Sequence, residues 1–414
     1  MKSIMKKYII LTFGLIIQFN LLKSQVLGCT DPLATNYNPA ATKNNGTCTY
    51  GSSTINLFQS DSLPASIIET SGLVIWNDKL WTHNDNGDKK IYSFDTNDVI
   101  NYQSYPLTQL VNRDWEEISQ DNNYFYIGDF GNNVNGNRTD LKILRIEKNS
   151  VLINSPIIDT INFSYSNQTD FNPTGANNTN FDCESFIVSA DSIFLFSKQW
   201  IDTKTSIYSM PKTPGNHTAN YKATLDVQGL ITGATYKENE KLIVLCGYSK
   251  LVQPFIYLLY DYDNTDFFNG NKRKINLGIN LHQVEAIATK NGLTYYVTNE
   301  ELNRTQPTTI HVPAKLHKFD LSFYLKNYLV KSNTPSDTTI IESVVIGPVP
   351  TENNLNVKVS NTLIGEQLYI FDALGKMIFS NLISSETFNI NTSLYPNGLY
   401  IMMIGEHKKK FIKL

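Results

Sequence analysis

The sequence is poor in charge and has no excess of basic residues. Only 18% of its 414 residues are Asp, Glu, Lys or Arg, and the formal net charge is −3. Soluble proteins average about 25% charged residues. Without a basic field we expect no nucleic-acid partner. The apolar run at residues 8–22 is shorter than the roughly 20 residues that a membrane-spanning helix needs, so we also expect no transmembrane span in the mature chain.

The familiar catalytic motifs are missing too. The sequence holds no Gly-rich phosphate loop, no nucleophile elbow, no paired-His metal motif and no CxxC. With only four Cys and six His, it points to no particular enzyme class. Whether the protein is an enzyme therefore stays open, and a hydrolase is the class we would expect if it is one.

The chain does contain an export signal at its start. Lys2, Lys6 and Lys7 precede the apolar residues 8–22, and the small Ser24 follows. This pattern predicts a signal peptide over residues 1–24. Residues 26–29 offer an alternative, a lipobox in which Cys29 would carry the lipid.

Residues 25–50 predict a small module closed by a disulfide. Cys29 and Cys48 bracket a polar loop, and an exported protein meets an oxidising compartment. The stretch resembles the GCTDP-type module of secreted Bacteroidota proteins, which implies calcium binding. Asp31 is its only carboxylate, whereas calcium takes several oxygens. A disulfide-stapled cap is the alternative.

The last 74 residues form a separate predicted domain, 341–414, after a polar linker at 331–340. Short alternating strands separated by turn residues predict an immunoglobulin-like β-sandwich. The segments PVP at 348–350, IFDALG at 370–375, LYPNGLYI at 394–401 and KKFIKL at 409–414 resemble the type A C-terminal sorting domain of the type IX secretion system. The residues that carry this resemblance most clearly are Gly375, Pro396, Asn397, Gly398, Lys409, Lys410 and Leu414.

That resemblance predicts the localisation of the protein. It implies contact with the type IX secretion machinery, followed by secretion or attachment to the outer cell surface. An ordinary immunoglobulin-like binding module is the alternative for the same strands. Neither interpretation describes the activity of the remaining chain.

Residues 54–330 show an internal repeat. Related segments recur near residues 69, 117, 184, 232 and 285, each followed by further short strands. A period near 50 residues with four strands predicts a β-propeller. We expect five blades, or six if the polar insertion at 167–180 hides a weak one, with residues 55–58 completing the last blade. A β-sandwich or a two-sheet solenoid is the alternative architecture.

Propeller geometry predicts a polar mouth. The starts of the first strands and the ends of the second strands meet on one face of such a fold. The side chains expected there are Glu69, His83, Asp85, Asp114, Glu117, Asp129, Asp182, Glu184, Lys198, Glu285 and Glu300. Blade 4 carries Thr232 where the others carry an acid.

Clustered carboxylates repel one another and need compensation. A bound cation, a protonated acid or a basic neighbour would supply it, the basic candidates being Lys198, Arg113 and Arg138. An all-oxygen donor set suits Ca²⁺, while zinc would require more imidazole or thiolate than His83 offers. A purely structural role is equally open, with the acids accepting backbone N–H bonds across the axis.

The repeated acidic strand starts also resemble esterase-like phytase and SdiA-regulated propellers. That resemblance implies a calcium-bearing funnel and, in some members, hydrolysis of phosphate esters or lactones. Blade 4 departs from the pattern. We therefore expect a secreted or cell-surface propeller that binds an extracellular ligand, glycan or protein at an acidic, calcium-bearing mouth. A calcium-assisted hydrolase and a structural adhesion protein are the alternatives.

Overall fold

The computed structural model describes residues 25–85, 87–306, 309–332, 344–360, 363–405 and 407–414. The predicted signal peptide and most of the predicted linker lie outside these residues. The chain divides into two units, Met1–Val330 and Lys331–Leu414.

The first unit contains five groups of four antiparallel strands, which we number as blades 1 to 5. Blade 1 consists of Thr70–Trp76, Lys79–Asn84, Lys90–Asp95 and Asp98–Pro106. Blade 2 consists of Trp115–Gln120, Tyr124–Asp129, Lys142–Glu147 and Ile158–Tyr165. Blade 3 consists of Asp182–Val188, Ser192–Lys198, Thr205–Pro211 and Gly215–Leu225. Blade 4 consists of Leu230–Lys237, Leu242–Tyr248, Pro254–Tyr260 and Asn271–Leu277. Blade 5 consists of Val284–Thr289, Thr294–Asn299, Lys315–Asp320 and Gln59–Ser62.

The blades close into a ring. The first strand of each blade packs against the first strand of the next, and that of blade 5 packs against that of blade 1. Apolar side chains from neighbouring sheets fill the space between them. The predicted five-bladed propeller is therefore confirmed. The insertion between blades 2 and 3 forms no strand over residues 166–181 and adds no sixth blade.

The closing strand lies further along the chain than predicted. Gln59–Ser62, not residues 55–58, pairs with Lys315–Asp320 to complete blade 5. Thr54–Ile55 pairs in parallel with the outer strand of blade 4 instead. The apolar Ile55 and Leu57 pack against the core shared by blades 4 and 5. The outer edge of blade 5 is half-exposed and is consequently formed by polar residues. One of them, Ser60, forms a hydrogen bond with His317 at 2.7 Å.

The remaining elements of this unit are short. The outer strands of blades 2 and 3 pair in parallel, which joins the two blades in one eight-stranded sheet. A hairpin of Leu302–Arg304 and Ile310–Val312 extends from blade 5. The helices are Lys148–Leu152 and Ser322–Ser332, and Leu325 and Leu329 of the second pack on the core of blades 4 and 5.

The N-terminal module is docked on blade 4. Cys29 and Cys48 form the predicted disulfide, and Leu27–Gly28 pairs with Lys43–Asn44. The Asp31 carboxylate accepts hydrogen bonds from the hydroxyls of Tyr50, at 2.8 Å, and of Tyr260, at 2.5 Å. The single carboxylate of the module is thus engaged by two hydroxyl donors at the interface with the propeller.

Loss of this disulfide should destabilise the first unit. The two cysteines are 19 residues apart, and a closed loop of this size contributes about 3 kcal/mol in the chain-entropy model. Urea denaturation should show a loss of about this size for a Cys29→Ser/Cys48→Ser variant. Dithiothreitol should lower the free energy of unfolding of the wild type by a similar amount and leave that of the variant unchanged. Equal free energies of unfolding for the wild type and the variant would contradict a stabilising role of the disulfide.

The second unit is a β-sandwich. One sheet contains Val344–Gly347, Asn354–Val359 and Thr387–Asn391, and the other contains Met377–Leu382, Gln367–Asp372, Gly398–Ile404 and His407–Lys413. Alternate residues of both sheets point into one core, which includes Leu355, Ile370 and Phe411. The predicted sandwich is confirmed, with Val344–Gly347 as an additional strand.

The predicted sorting residues lie at turns and in the last strand of this unit. Gly375 has φ +82° in a tight turn, where Asp372 accepts hydrogen bonds from the N–H groups of Leu374 and Lys376. Pro396 and Asn397 form the turn before Gly398, and the Pro396 carbonyl accepts the Tyr400 hydroxyl at 2.6 Å. Lys409 and Lys410 lie in His407–Lys413, and the backbone N–H of Leu414 donates to Thr351.

Candidate functional site

Every blade has a bulge in its first strand. In blades 2 to 5 the one extra residue is Glu116, Glu184, Thr232 or Glu285, while in blade 1 the bulge includes Gly72. A bulge breaks the alternation of a strand and redirects one side chain. The three glutamates consequently face the propeller axis from equivalent positions.

These bulges surround a cavity of about 210 Å³. Loops that follow the second strands and loops that precede the first strands enclose it, as propeller topology requires. The lining residues are Ser71, Asp85, Glu116, Asn133, Asn177, Glu184, Lys198, Trp200, Tyr248, Gln283, Glu285 and Glu300. Five of these carry carboxyl groups and one carries an ammonium group. We call this space the central cavity.

Burial and mutual repulsion disfavour the charged forms of these acids. Burial is the main cause that raises the pKa of Glu285 to about 7 and those of Glu116, Glu184 and Glu300 well above the usual range. Lys198 acts in the opposite direction on all four groups. A cavity with several acids that are reluctant to ionise is one that gains from a bound cation.

Among the residues that the structure describes, Lys198 is the one cationic side chain that lines the cavity. Its ammonium forms a buried salt bridge with the Glu184 carboxylate, and it lies 4.7 Å from the ring centre of Trp200 and 5.2 Å from that of Tyr248. The surrounding carboxylates raise the pKa of Lys198 despite its burial. The amine is therefore protonated and acts as a fixed charge.

Three acids at the junction of blades 5 and 1 form a candidate metal centre. Glu69, Asp85 and Glu300 each offer one oxygen, and these oxygens lie within 4.8 Å of one another. Burial, followed by the charge of Asp85, raises the pKa of Glu69. Two of the three line the central cavity, so an ion held here would border the same space.

Asp114 and Asp182 extend the acidic cluster on the side of blades 2 and 3. Asp182 accepts hydrogen bonds from the Asn132 backbone N–H at 2.6 Å and from Trp200 Nε1 at 2.7 Å. Asp114 has its pKa raised to about 6 by burial and by the charge of Asp182. Oxygens of Asp114 and Glu116 both lie within 2.3 Å of the place a Cβ on Gly131 would occupy, so only glycine fits between them.

The remaining predicted mouth residues lie away from the cavity. Glu117 is fully buried and accepts backbone N–H bonds from Ile118 at 3.0 Å and from Ala234 at 2.8 Å, which links blade 2 to blade 4 across the axis. His83 is buried against Trp115, and burial lowers its pKa to about 4. Asp129 pairs with Arg138 and Lys142.

Some lining residues escaped the sequence-based prediction. The sequence analysis names Glu117 rather than its neighbour Glu116, because the repeat gives no sign of which residue of Asp-Trp-Glu-Glu occupies the bulge. Ser71, Asn177 and Gln283 were also missed. The only available signal for them was their position beside a strand start.

Cys183 and Cys246 are buried free thiols.

Comparisons with known proteins identify the second unit. Residues 345–414 match the family model of the secretion system C-terminal sorting domain. The chain thus carries a type IX secretion sorting domain, and the protein is secreted or attached to the outer cell surface. This confirms the predicted localisation. Among the residues that the structure describes, no helix has the length and apolar character needed to cross a membrane.

Similarity to solved structures is distant. PorZ, a surface component of the type IX secretion system of Porphyromonas gingivalis, is 12% identical with a TM-score of 0.30, over 83% of this chain and 45% of that one. The chain thus spans less than half of PorZ. An aldose sugar dehydrogenase of Streptomyces coelicolor is 8% identical with a TM-score of 0.36, over 63% of this chain and 98% of that one. No curated protein matches the sequence.

Proposed function

We propose that the exported propeller binds calcium at Glu69, Asp85 and Glu300, and that the central cavity beside the ion receives an extracellular ligand. The supporting observation is the excess of carboxyl groups over cationic groups around one enclosed space. Calcium takes six to eight oxygen ligands in flexible geometry, which suits carboxylates and amide oxygens. Imidazole plays no part, because His83 is buried elsewhere.

The ion would change the protonation of the cavity. Metal binding requires deprotonated ligands, so the raised pKa values of Glu69 and Glu300 make calcium binding compete with protons. Affinity should therefore rise with pH. Trp200 and Tyr248 beside the acids, together with the amides of Asn133 and Gln283, offer a ligand both flat apolar surface and hydrogen bonds.

Calcium should stabilise the full-length chain against heat. A ligand at 100 times its dissociation constant contributes about 2.7 kcal/mol, which raises the melting temperature by about 3–4 °C in a protein of this size. An Asp85→Asn/Glu300→Gln variant should lose this response. Asp78→Asn, which removes an exposed carboxylate at a turn on the opposite face, should keep it. Equal melting temperatures with calcium and with chelator in the wild type would contradict the proposal.

One observation favours a second candidate, a calcium-assisted hydrolase. Glu285 lines the cavity, and its pKa of about 7 suits a group that exchanges protons at neutral pH. Calcium would polarise the substrate, and Glu184, Glu300 and Lys198 lie at the same cavity. Calcium-dependent turnover across a panel of phosphate esters, lactones and simple esters would support this function. Binding without turnover would leave the first proposal alone.

A further inference from the structure

Glu116 is a buried acid that the described residues leave without a partner. The residue is 7% exposed and lines the central cavity. Among the described residues no donor forms a hydrogen bond or salt bridge with its carboxyl group, whereas Glu184 has Lys198 and Asp182 has Trp200. Buried carboxyl groups normally have partners, and an orphan in a cavity points to a group supplied from outside.

A metal ion at the triad would not neutralise the cavity. The five lining acids together with Glu69 make six carboxyl groups, against the single ammonium of Lys198. With all six ionised, one divalent ion then leaves a formal charge of −3. Because Lys198 is paired with Glu184, part of this charge falls on Glu116, which Asp114 and Asp182 adjoin on the side of blades 2 and 3. That side of the cavity therefore complements a second, separate cation.

The face that carries the mouth exposes apolar side chains. They are Val111 (67%), Val134 (66%), Ile201 (52%) and Leu251 (84%), which lie in loops on this face and which we call the rim. They come from four different loops between strands, so the rim is spread over several blades. An acidic pocket on a face with exposed apolar side chains suits a surface that anchors one side chain of a protein partner.

We propose that the mouth docks a polypeptide segment that inserts a lysine side chain toward Glu116, with apolar residues of the segment packing on the rim. The inference rests on the proposed use of the central cavity as a binding site. The cavity, at about 210 Å³, lies below the range of about 300–1,000 Å³ typical of small-molecule pockets, which suits a single side chain. Lys198 shows that an ammonium is already accommodated between Trp200 and Tyr248.

Two labelled peptides test this on the full-length chain by fluorescence anisotropy. Acetyl-Gly-Leu-Lys-Leu-Gly-amide carries the ammonium, and the same peptide with norleucine carries the side chain without its charge. A charged hydrogen bond contributes about 1.5–3 kcal/mol, so the lysine peptide should bind about tenfold more tightly or better. Glu116→Gln should remove the preference. Glu238→Gln, at an exposed turn on the opposite face, should retain it.

The outcomes separate this inference from calcium binding. The lysine preference should persist when a chelator removes calcium, which tests the metal site and leaves every side chain of the cavity in place. Leu251→Ser should weaken both peptides by a similar factor. Equal affinity of the wild-type chain for the two peptides would overturn the inference. An unchanged preference for the lysine peptide in the Glu116→Gln variant would also overturn it. So would tight binding of oligogalacturonate with no binding of either peptide, which would assign the mouth to an acidic glycan.

Discussion

Replacing Glu117 with alanine should lower the free energy of unfolding by about 3–5 kcal/mol. The carboxyl group is fully buried and accepts the backbone N–H groups of Ile118 and Ala234. Alanine would leave both donors unsatisfied in the middle of the ring and open a void beside them. Urea denaturation at pH 7.5 measures the loss.

The matched control is Glu116→Ala at the adjacent residue. It removes an acid of similar burial that faces the cavity and has no partner among the described residues. We expect a change of less than about 1 kcal/mol, because the loss of this carboxyl group leaves no protein donor unsatisfied. Similar losses in the two variants would contradict the division between a structural acid and a binding acid.

Replacing Lys198 with methionine should destabilise the protein by about 3–5 kcal/mol at pH 8 and much less at pH 5. Loss of the ammonium leaves the buried Glu184 without its salt bridge. Lys198 also lowers the pKa of Glu285, of Glu300 and of Asp182. Its removal therefore makes ionisation of the whole cluster harder.

The sign of the pH dependence follows from the raised pKa values. Between the unfolded pKa near 4.5 and the folded pKa of about 7, Glu285 holds more proton in the folded state. Stability thus falls as pH rises through this window. In the Lys198→Met variant the window should extend to higher pH. Urea midpoints from pH 5 to pH 8 measure it, and a loss that is the same at every pH would contradict this electrostatic account.

The propeller was predictable because its signal is periodic. Five copies of a strand pattern at a spacing near 50 residues define the number of blades, and the turns between strands define their order. The closing strand was misplaced by four residues, since an outer edge strand such as Gln59–Ser62 is half-exposed and polar. Its position depends on the packing of Ile55 and Leu57, which no local pattern in the sequence reveals.

The site was predictable only in part. The position of the mouth and most of its acids followed from strand starts and strand ends. The distinction between Glu116 and Glu117 did not, because it depends on a bulge that forms against the second strand of blade 2. The burial of His83 between blades likewise depends on Trp115, a residue far away in sequence. Such details arise from tertiary pairing.

Calorimetric titration of calcium into the full-length chain tests the central claim most directly. Repeating the titration at pH 6.5 in two buffers with different ionisation enthalpies would also give the number of protons released. We expect one ion per chain, release of protons from the acids of raised pKa, and tighter binding at pH 8 than at pH 6. The absence of binding heat at both pH values, with the same melting temperature in calcium and in chelator, would contradict a metal site at Glu69, Asp85 and Glu300.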